Sequence, residues 1–200
     1  PNKDLTLIDM YVLPGFISKD RYYNGLWEYL SSDKKRLTFF VPTLVMIPKS
    51  EILEAYKKLR GSNRNFLIKE DYLKIRDILF AIGHCFRIMR IRVKPIHILG
   101  IDIAPLIRED INSMKGLDNA VIALLNYRFV RRLKERSVRL RLVIDWFENQ
   151  VVDKGWNAGF NSFYPNVKTV GYSGQIPSSN YLCSFPSECE KINGLLLLCF

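Results

Sequence analysis

Glu148 and Asn149 place a carboxylate beside an amide, directly after an apolar stretch at 141–147 that favours a β-strand. In open α/β sheets, ligands bind beyond the carboxyl ends of the strands, where the next helices point their free amides. At such an end Glu148 could take a proton from a reacting hydroxyl and Lys154 could bind a phosphate. A structural role is the alternative, in which Asn149 caps the next helix and Glu148 complements its dipole.

Other polar residues lie near the ends of the remaining predicted strands. Tyr172 belongs to "GYSG" at 171–174, where glycines permit a tight turn and the close approach of a ligand to the backbone. Asp9 and Thr43 lie near the ends of the first and second predicted strands. We predict that Asn149, Lys154, Tyr172 and Asp9 bind substrate, with core-edge or capping roles as the alternative for Asp9 and Thr43.

Predicted strands and helices alternate along the chain. The composition favours strands at 5–13, 36–44, 141–147 and 167–174, and helices at 20–31, 50–61, 69–93, 117–136 and 150–164. The strands are too continuously apolar for a sheet with one wet face. We therefore predict an α/β fold with a Rossmann-like, mostly parallel sheet flanked by helices.

The predicted helix at 69–93 is the longest, because apolar residues recur along it at spacings of three and four. This pattern predicts that one face of the helix is buried. The apolar run that follows at 96–107 favours a strand and a turn.

Composition limits the function classes. The chain of 200 residues carries a formal net charge of +10, which favours anionic partners without choosing among phosphates, nucleic acid and lipid headgroups. Its four cysteines are scattered and no histidine is spaced with them as a zinc ligand, so no metal site is expected. No apolar segment is long enough to span a bilayer.

The run "WFENQ…DKGWNAGF…FYPNVKTVGYSG", at 146–174, resembles a segment of bacterial glycosyltransferases of GT-B type that build capsule, lipopolysaccharide and other surface carbohydrate. The chain has Ser173 and Gly174 where that family pattern has Gln and His. The resemblance implies transfer of a sugar from a nucleotide-activated donor to a glycan or lipid-linked glycan acceptor, with no other cofactor. It also implies that Glu148 contacts the acceptor or acts as general base, and that Asn149 orients the loop or the substrate.

The same resemblance implies a domain division. Residues 1–174 would form a Rossmann-like acceptor-side domain, the N-terminal half of a GT-B enzyme, and 175–200 a linker and the start of a second domain. Most of the donor site would then lie in the other half, so the isolated chain is expected to be inactive.

Basic residues are concentrated at 126–141, where one acid, Glu135, accompanies seven Arg and Lys. A solvated helix face is one interpretation. The other is attachment to an anionic membrane surface through Arg128, Arg131, Arg132 and Arg136, which would make the enzyme cytoplasmic and peripheral to the inner face of the plasma membrane. A nucleic-acid-binding domain and a noncatalytic envelope-assembly domain are rival functions, but no nucleic-acid partner is expected because known recognition motifs are absent from the sequence.

Overall fold

A parallel four-stranded sheet forms the centre of the computed structural model, which describes residues 4–17, 21–173 and 186–196. The strands are β1 (Leu5–Val12), β2 (Thr38–Leu44), β5 (Leu140–Trp146) and β6 (Lys168–Tyr172), in the spatial order β2-β1-β5-β6. The predicted α/β class and Rossmann-like parallel sheet are confirmed.

Helices cover both faces of this sheet. They are α1 (Leu26–Tyr29), α2 (Ser32–Lys35), α3 (Ile52–Arg60), α4 (Ile75–Ile82), α5 (His84–Ile88), α6 (Ala104–Ser113), α7 (Leu117–Glu135), α8 (Val151–Phe163) and α9 (Glu188–Ile192). Short 3-10 turns occupy Lys49–Glu51 and Lys69–Asp71, and a small antiparallel hairpin joins β3 (His97–Ile98) to β4 (Ile101–Asp102).

Alternation along the strands gives the sheet two different cores. On one face Leu7 and Val143 pack against Phe129 of α7 and Trp156 of α8, within a larger buried cluster. On the other face Ile8, Met10 and Val12 pack with Trp27 of α1 and Leu59 of α3. Because successive side chains of a strand point to opposite faces, Asp9 and Asp145 lie on the α7–α8 side, as Leu7 and Val143 do. The Trp156 side chain is part of the core.

The prediction of one continuous helix at 69–93 with a buried apolar face is wrong. The chain there forms a 3-10 turn and two helices, α4 and α5, separated at Gly83. From Ile75 onward, the residues that create the apolar periodicity are exposed rather than buried, among them Leu79, Ile82 and Phe86. Instead, α4 turns Asp77 and Ala81 inward, toward α7.

Several other boundaries also differ from the prediction. The predicted helix at 20–31 is a single turn, α1, and the run at 96–107 forms the exposed β3–β4 hairpin followed by α6. Helix α3 ends at Gly61 as predicted. The linker predicted from 175 lies largely outside the described residues, and the division into two domains stays a prediction.

The arginines of α7 have more than one environment. Arg132 is 1% exposed and makes paired hydrogen bonds of 2.7 and 2.6 Å to Asp77, and Arg128 donates to the same carboxylate at 2.7 Å. Arg136 donates to the Asp71 carbonyl and stacks over Tyr72. Arg128 and Arg132 are therefore not available to a membrane surface, which corrects the expectation for these two residues. Arg131 stays partly exposed beside Glu135.

Candidate functional site

The order in which the chain adds strands to the sheet reverses after β2, and this reversal defines a position at the carboxyl ends of the strands. From β1 the chain crosses to β2 on one side, and from β2 it crosses back over β1 to reach β5 on the other. In open parallel sheets the crevice between two such strands is the usual place for a ligand. Here that position lies between the ends of β1 and β5.

Three buried aspartates meet at this position. Leu7 and Ile8 of β1 pair with Val143 and Ile144 of β5, and continuing this register by one residue sets Asp9 beside Asp145. The third carboxylate belongs to Asp153, in the first turn of α8. All three side chains are almost completely buried.

Asp153 fixes the start of α8. Its Oδ2 accepts hydrogen bonds from the backbone amides of Gln150 at 2.9 Å and Glu148 at 3.0 Å, and Tyr11 donates to its Oδ1 at 3.3 Å. Gln150 is the N-cap residue of the helix and shares a capping box with Asp153. The alternative in which Asn149 caps this helix is therefore wrong by one position.

Burial changes the protonation of the three acids. It raises the pKa of Asp9 to about 7, although the charge of Lys69 opposes the shift, and it raises the pKa of Asp153 to about 6. Burial and the charges of Asp153 and Asp9 raise the pKa of Asp145 well above its usual range. Because like charges this close disfavour full ionisation, the group retains protons at neutral pH.

Asp145 is also short of hydrogen bonds. Neither of its carboxylate oxygens, and neither amide atom of the neighbouring Asn157, has a partner of normal geometry among the described residues. The Asn157 side chain still lies close enough to lower the pKa of Asp145, by less than burial raises it. Buried polar groups without partners are costly, so their occurrence at the edge where ligands usually bind in open parallel sheets favours a functional role.

Lys69 brings a positive charge to the same face of the sheet. Its ammonium group donates to Thr43 Oγ1 at 2.6 Å and to Asn126 Oδ1 at 2.7 Å, and it lies close enough to Asp9 for their charges to interact. Burial lowers the pKa of Lys69, while the Asp9 carboxylate opposes this shift. An ammonium has three donors, and no third hydrogen-bond acceptor lies within reach of Nζ in the described part of the chain.

A cavity of about 210 Å³ opens beside this lysine. Thr43, Lys69, Glu70 and Asn126 supply polar groups to its wall. The remaining lining residues are apolar or aromatic: Leu44, Ile52, Tyr56, Leu73, Ile122 and Leu125. The cavity therefore combines one buried cation with hydrogen-bonding groups and apolar surface, which suits a small polar ligand or one unit of a larger one.

Glu148 lies at the same edge but does not line the cavity. Its Oε1 accepts from the Trp146 indole at 2.7 Å and its Oε2 from the Gln150 amide at 2.7 Å. The side chain is half-buried, so it is more accessible than the three aspartates. Two neighbours thus orient the carboxylate while each oxygen keeps capacity to accept another hydrogen bond.

Asn149 and Lys154 form a pair beside the loop. Asn149 has a φ of 58°, a left-handed conformation that asparagine tolerates better than most residues, and its side-chain oxygen accepts from the Lys154 ammonium. Lys154 also makes an ion pair of 2.8 Å with Glu190 of α9, and this contact lowers the pKa of Glu190 to about 2. The positive charge predicted to meet a phosphate is thus already matched by a carboxylate.

Tyr172 belongs to an aromatic cluster rather than to the acidic group. The centroid of its ring lies 5.3 Å from that of Trp146 and 5.5 Å from that of Tyr23, and the Tyr22 ring lies 4.5 Å from Trp146. Tyr172 is 45% exposed, so one side of the ring faces solvent. The structure therefore brings Tyr172 near the end of β5, on the sheet face opposite Asp9.

Asp9 was predicted from the sequence as a site residue, whereas its partners at this edge were not. Asp145 carried a usable signal, because an acid at an inward position of an apolar strand must be paired or functional. Lys69 carried a weaker one, since it directly follows the apolar run "FLI". The sequence carried no such signal for Asn126, Asp153 or Asn157, because polar residues at helical spacing are usually solvent-exposed.

No protein-family model, curated protein or solved structure matches this chain. Across the described ranges, no group of three or more His, Cys, Asp or Glu is arranged to hold a metal ion. In those same ranges, no helix combines the length and apolar character needed to cross a membrane. What the chain does must therefore be inferred from its own residues.

Proposed function

We propose that this chain is the acceptor-side domain of a glycosyltransferase, which adds a sugar from a nucleotide-activated donor to a surface glycan. The observation that carries the proposal is the group of carboxyl groups at the β1–β5 switch point. The segment that resembles surface-carbohydrate transferases, 146–174, supplies Asp153 and Glu148 to this edge. A carboxylate at this edge can act as the general base that takes the acceptor's proton.

Glu148 is the acid that an acceptor hydroxyl can reach, because the three aspartates are almost completely buried. In the proposed reaction the acceptor oxygen forms a bond to the anomeric carbon of the donor sugar as its proton passes to Glu148. The bond between that carbon and the phosphate oxygen breaks, and the nucleotide phosphate leaves with the electron pair. The donors on Trp146 and Gln150 hold the carboxylate in place during this step.

The cavity beside Lys69 would hold part of the acceptor. Sugars present hydroxyl groups together with apolar ring faces, and this cavity offers Lys69, Thr43 and Asn126 against a largely apolar wall. Burial raises the pKa of the Asp9 carboxyl to about 7, so this group would gain or lose a proton to balance the Lys69 ammonium as the ligand binds. Asn149 and Lys154 would then support the loop that carries Glu148, which is a positioning role.

Glycan binding can be tested on the chain by filling the cavity. Ile52→Trp should remove calorimetric binding of surface oligosaccharides, because the larger side chain occupies the space beside Lys69. Leu53→Trp is the matched control, since Leu53 is exposed and does not line the cavity. Equal glycan binding by both variants, or salt-dependent oligonucleotide binding without glycan binding, would overturn the proposal.

Catalysis is tested in the complete enzyme supplied with a nucleotide sugar. Glu148→Gln should lower turnover by on the order of 100-fold or more while thermal unfolding is unchanged, since only the proton acceptor is lost. Glu51→Gln, at an exposed glutamate, is the control. Undiminished turnover of the Glu148→Gln enzyme would remove this residue from the mechanism.

A further inference from the structure

Helix α4 is amphipathic, but its apolar face points to solvent and not to the core as the sequence predicted. Asp77 and Ala81 face inward, whereas a stripe of apolar residues faces solvent along α4 and α5. We call this the apolar stripe, and its residues are 45–77% exposed: Ile75, Ile78, Leu79, Ile82, Phe86 and Met89. The spacing of Ile75, Ile78, Leu79 and Ile82 is that of one face of α4, and Phe86 and Met89 add exposed apolar side chains in α5 and directly after it.

The chain continues from this stripe into a second exposed apolar element. The β3–β4 hairpin presents Ile98, Leu99 and Ile101 to solvent, and Leu99 at the turn is 98% exposed. A hydrogen bond from the Ile103 amide to the Ile96 carbonyl closes the base of the hairpin. The tip is thus an apolar projection built on a defined turn.

Basic residues connect the two apolar elements. Arg90, Arg92 and Lys94 lie in the segment between α5 and the hairpin, all exposed, and none of them makes an ion pair with another described residue. Arg87 and Arg108 add further exposed positive charge and bond to backbone carbonyls. Asp102 is the one acid between residues 78 and 108, and its carboxylate accepts from the Ile96 and Ala104 amides.

We propose that the apolar stripe and the hairpin tip, together with the basic segment that joins them, bind an anionic lipid bilayer. Apolar side chains can enter the boundary between headgroups and acyl chains, while neighbouring Arg and Lys meet lipid phosphates. The charge pattern selects this occupant over a second copy, because a symmetric dimer through this face would bring Arg90, Arg92 and Lys94 toward their own copies. The binding does not depend on the proposed transfer reaction.

The test uses cosedimentation of the chain with phosphatidylcholine vesicles that contain phosphatidylglycerol. Replacing Arg90, Arg92 and Lys94 by Gln should lower partitioning by on the order of 100-fold, at about 5-fold for each charge. The control replaces Lys34, Lys49 and Lys57 by Gln, which changes the net charge equally at exposed positions elsewhere. Binding of the parent chain should weaken with salt and be far lower on pure phosphatidylcholine.

A second pair of variants tests apolar insertion. Leu79→Gln together with Phe86→Gln should weaken vesicle binding at high salt, whereas Leu53→Gln with Tyr29→Gln, at exposed sites outside the surface, should not. Circular dichroism should show all variants folded, because every substituted side chain is exposed. Equal binding to neutral and anionic vesicles, or no binding, would overturn the proposal. The proposal would also be overturned if the parent chain did not bind vesicles but self-associated, and if the Leu79→Gln and Phe86→Gln pair abolished that self-association.

Discussion

The charge balance around Asp9 is the main chemical feature at the scale of single residues. Three buried aspartates face one buried lysine, so full ionisation would leave excess negative charge in a region poor in water. The protein accommodates this by keeping protons on the acids, which places the pKa of Asp9 and Asp153 near 7 and 6. Such values let carboxyl groups exchange protons at neutral pH.

This balance predicts an unusual pH dependence of stability. Between the unfolded pKa of Asp9, 3.8, and its folded pKa of about 7, the unfolded chain loses a proton that the folded chain keeps. The free energy of unfolding should therefore fall as pH rises through this window, by up to about 1.4 kcal/mol per pH unit for one group. Asp9→Asn should reduce the fall, as measured by urea denaturation at about pH 4.5 and 7.5.

The control for this measurement is Asp33→Asn, because Asp33 is exposed and pairs with Arg36 at the surface. It should leave the pH slope unchanged. An Asp9→Asn chain with the parent's slope would show that Asp9 is ionised throughout and would contradict the assignment. Asp153 contributes to the same window, so the slope should decrease without vanishing.

At the scale of elements, α7 and α8 pack unusually closely. A Cβ added at Gly155 would lie 1.8 Å from the Ala123 carbonyl oxygen, and one at Gly159 would lie 2.9 Å from the Val130 side chain. At both glycines of "KGWNAGF" the α8 backbone therefore lies directly against α7, against backbone atoms at Gly155 and against the Val130 side chain at Gly159. This contact holds α8, and with it Asp153 and Asn157, against the sheet.

Gly155→Ala tests this packing, because the sign of the change in the free energy of unfolding depends on the contact with α7. Inside an exposed helix, Ala in place of Gly stabilises by up to about 1 kcal/mol, but here the methyl group must push α7 away. We expect destabilisation of about 1–3 kcal/mol or more in chemical denaturation. Gly61→Ala is the comparison, because its Cβ would lie 3.5 Å from the Lys57 carbonyl oxygen, and it should be close to neutral. A stabilised Gly155→Ala chain would contradict the close contact.

Helix α4 shows where an apolar period misleads. The spacing of Ile75, Leu79 and Ile82 correctly indicates a helical face, but a period reports that apolar residues share a face and not which side is buried. The side that faces α7 carries Asp77, which makes ion pairs with Arg128 and Arg132 of that helix. Hydrogen bonds from these arginines hold the pKa of Asp77 below its usual range, against the opposing effect of burial.

At the scale of the whole molecule, the Asp77 ion pairs attach the region with the proposed lipid-binding surface to the sheet domain. Asp77→Asn should weaken this attachment, because it removes the charge of the carboxylate between Arg128 and Arg132 and leaves Glu135 as the remaining carboxylate beside the buried Arg132 guanidinium, at a cost of up to about 3–5 kcal/mol. Hydrogen exchange at 75–88 should rise at least about 10-fold, while amides of β1 and β5 stay protected. Uniform loss of protection would instead show one cooperative unit. Asp33→Asn again serves as the exposed control.

Residues 186–196 add a further contact at this scale. The Asn161 amide donates to the Gly194 and Leu196 carbonyls at 2.7 and 2.9 Å, and Leu196 packs against Phe147. Together with the ion pair between Lys154 and Glu190, these contacts place the described end of the chain beside the loop that carries Glu148. A sequence-based division at 174 gave no sign of this docking.

The sequence by itself determined the α/β class, the four main strands to within two residues, and the placement of Glu148, Asn149 and Asp9 near strand ends. These features depend on local composition and on the spacing of apolar residues, with a period of two in strands and 3.6 in helices. A short stretch of sequence is enough to show both. Tertiary structure decided that Lys69 and Asn126 meet Thr43 near Asp9, and that the apolar face of α4 points outward. Both depend on which distant residues pack together, and ion pairs such as Asp77–Arg132 join positions 55 residues apart.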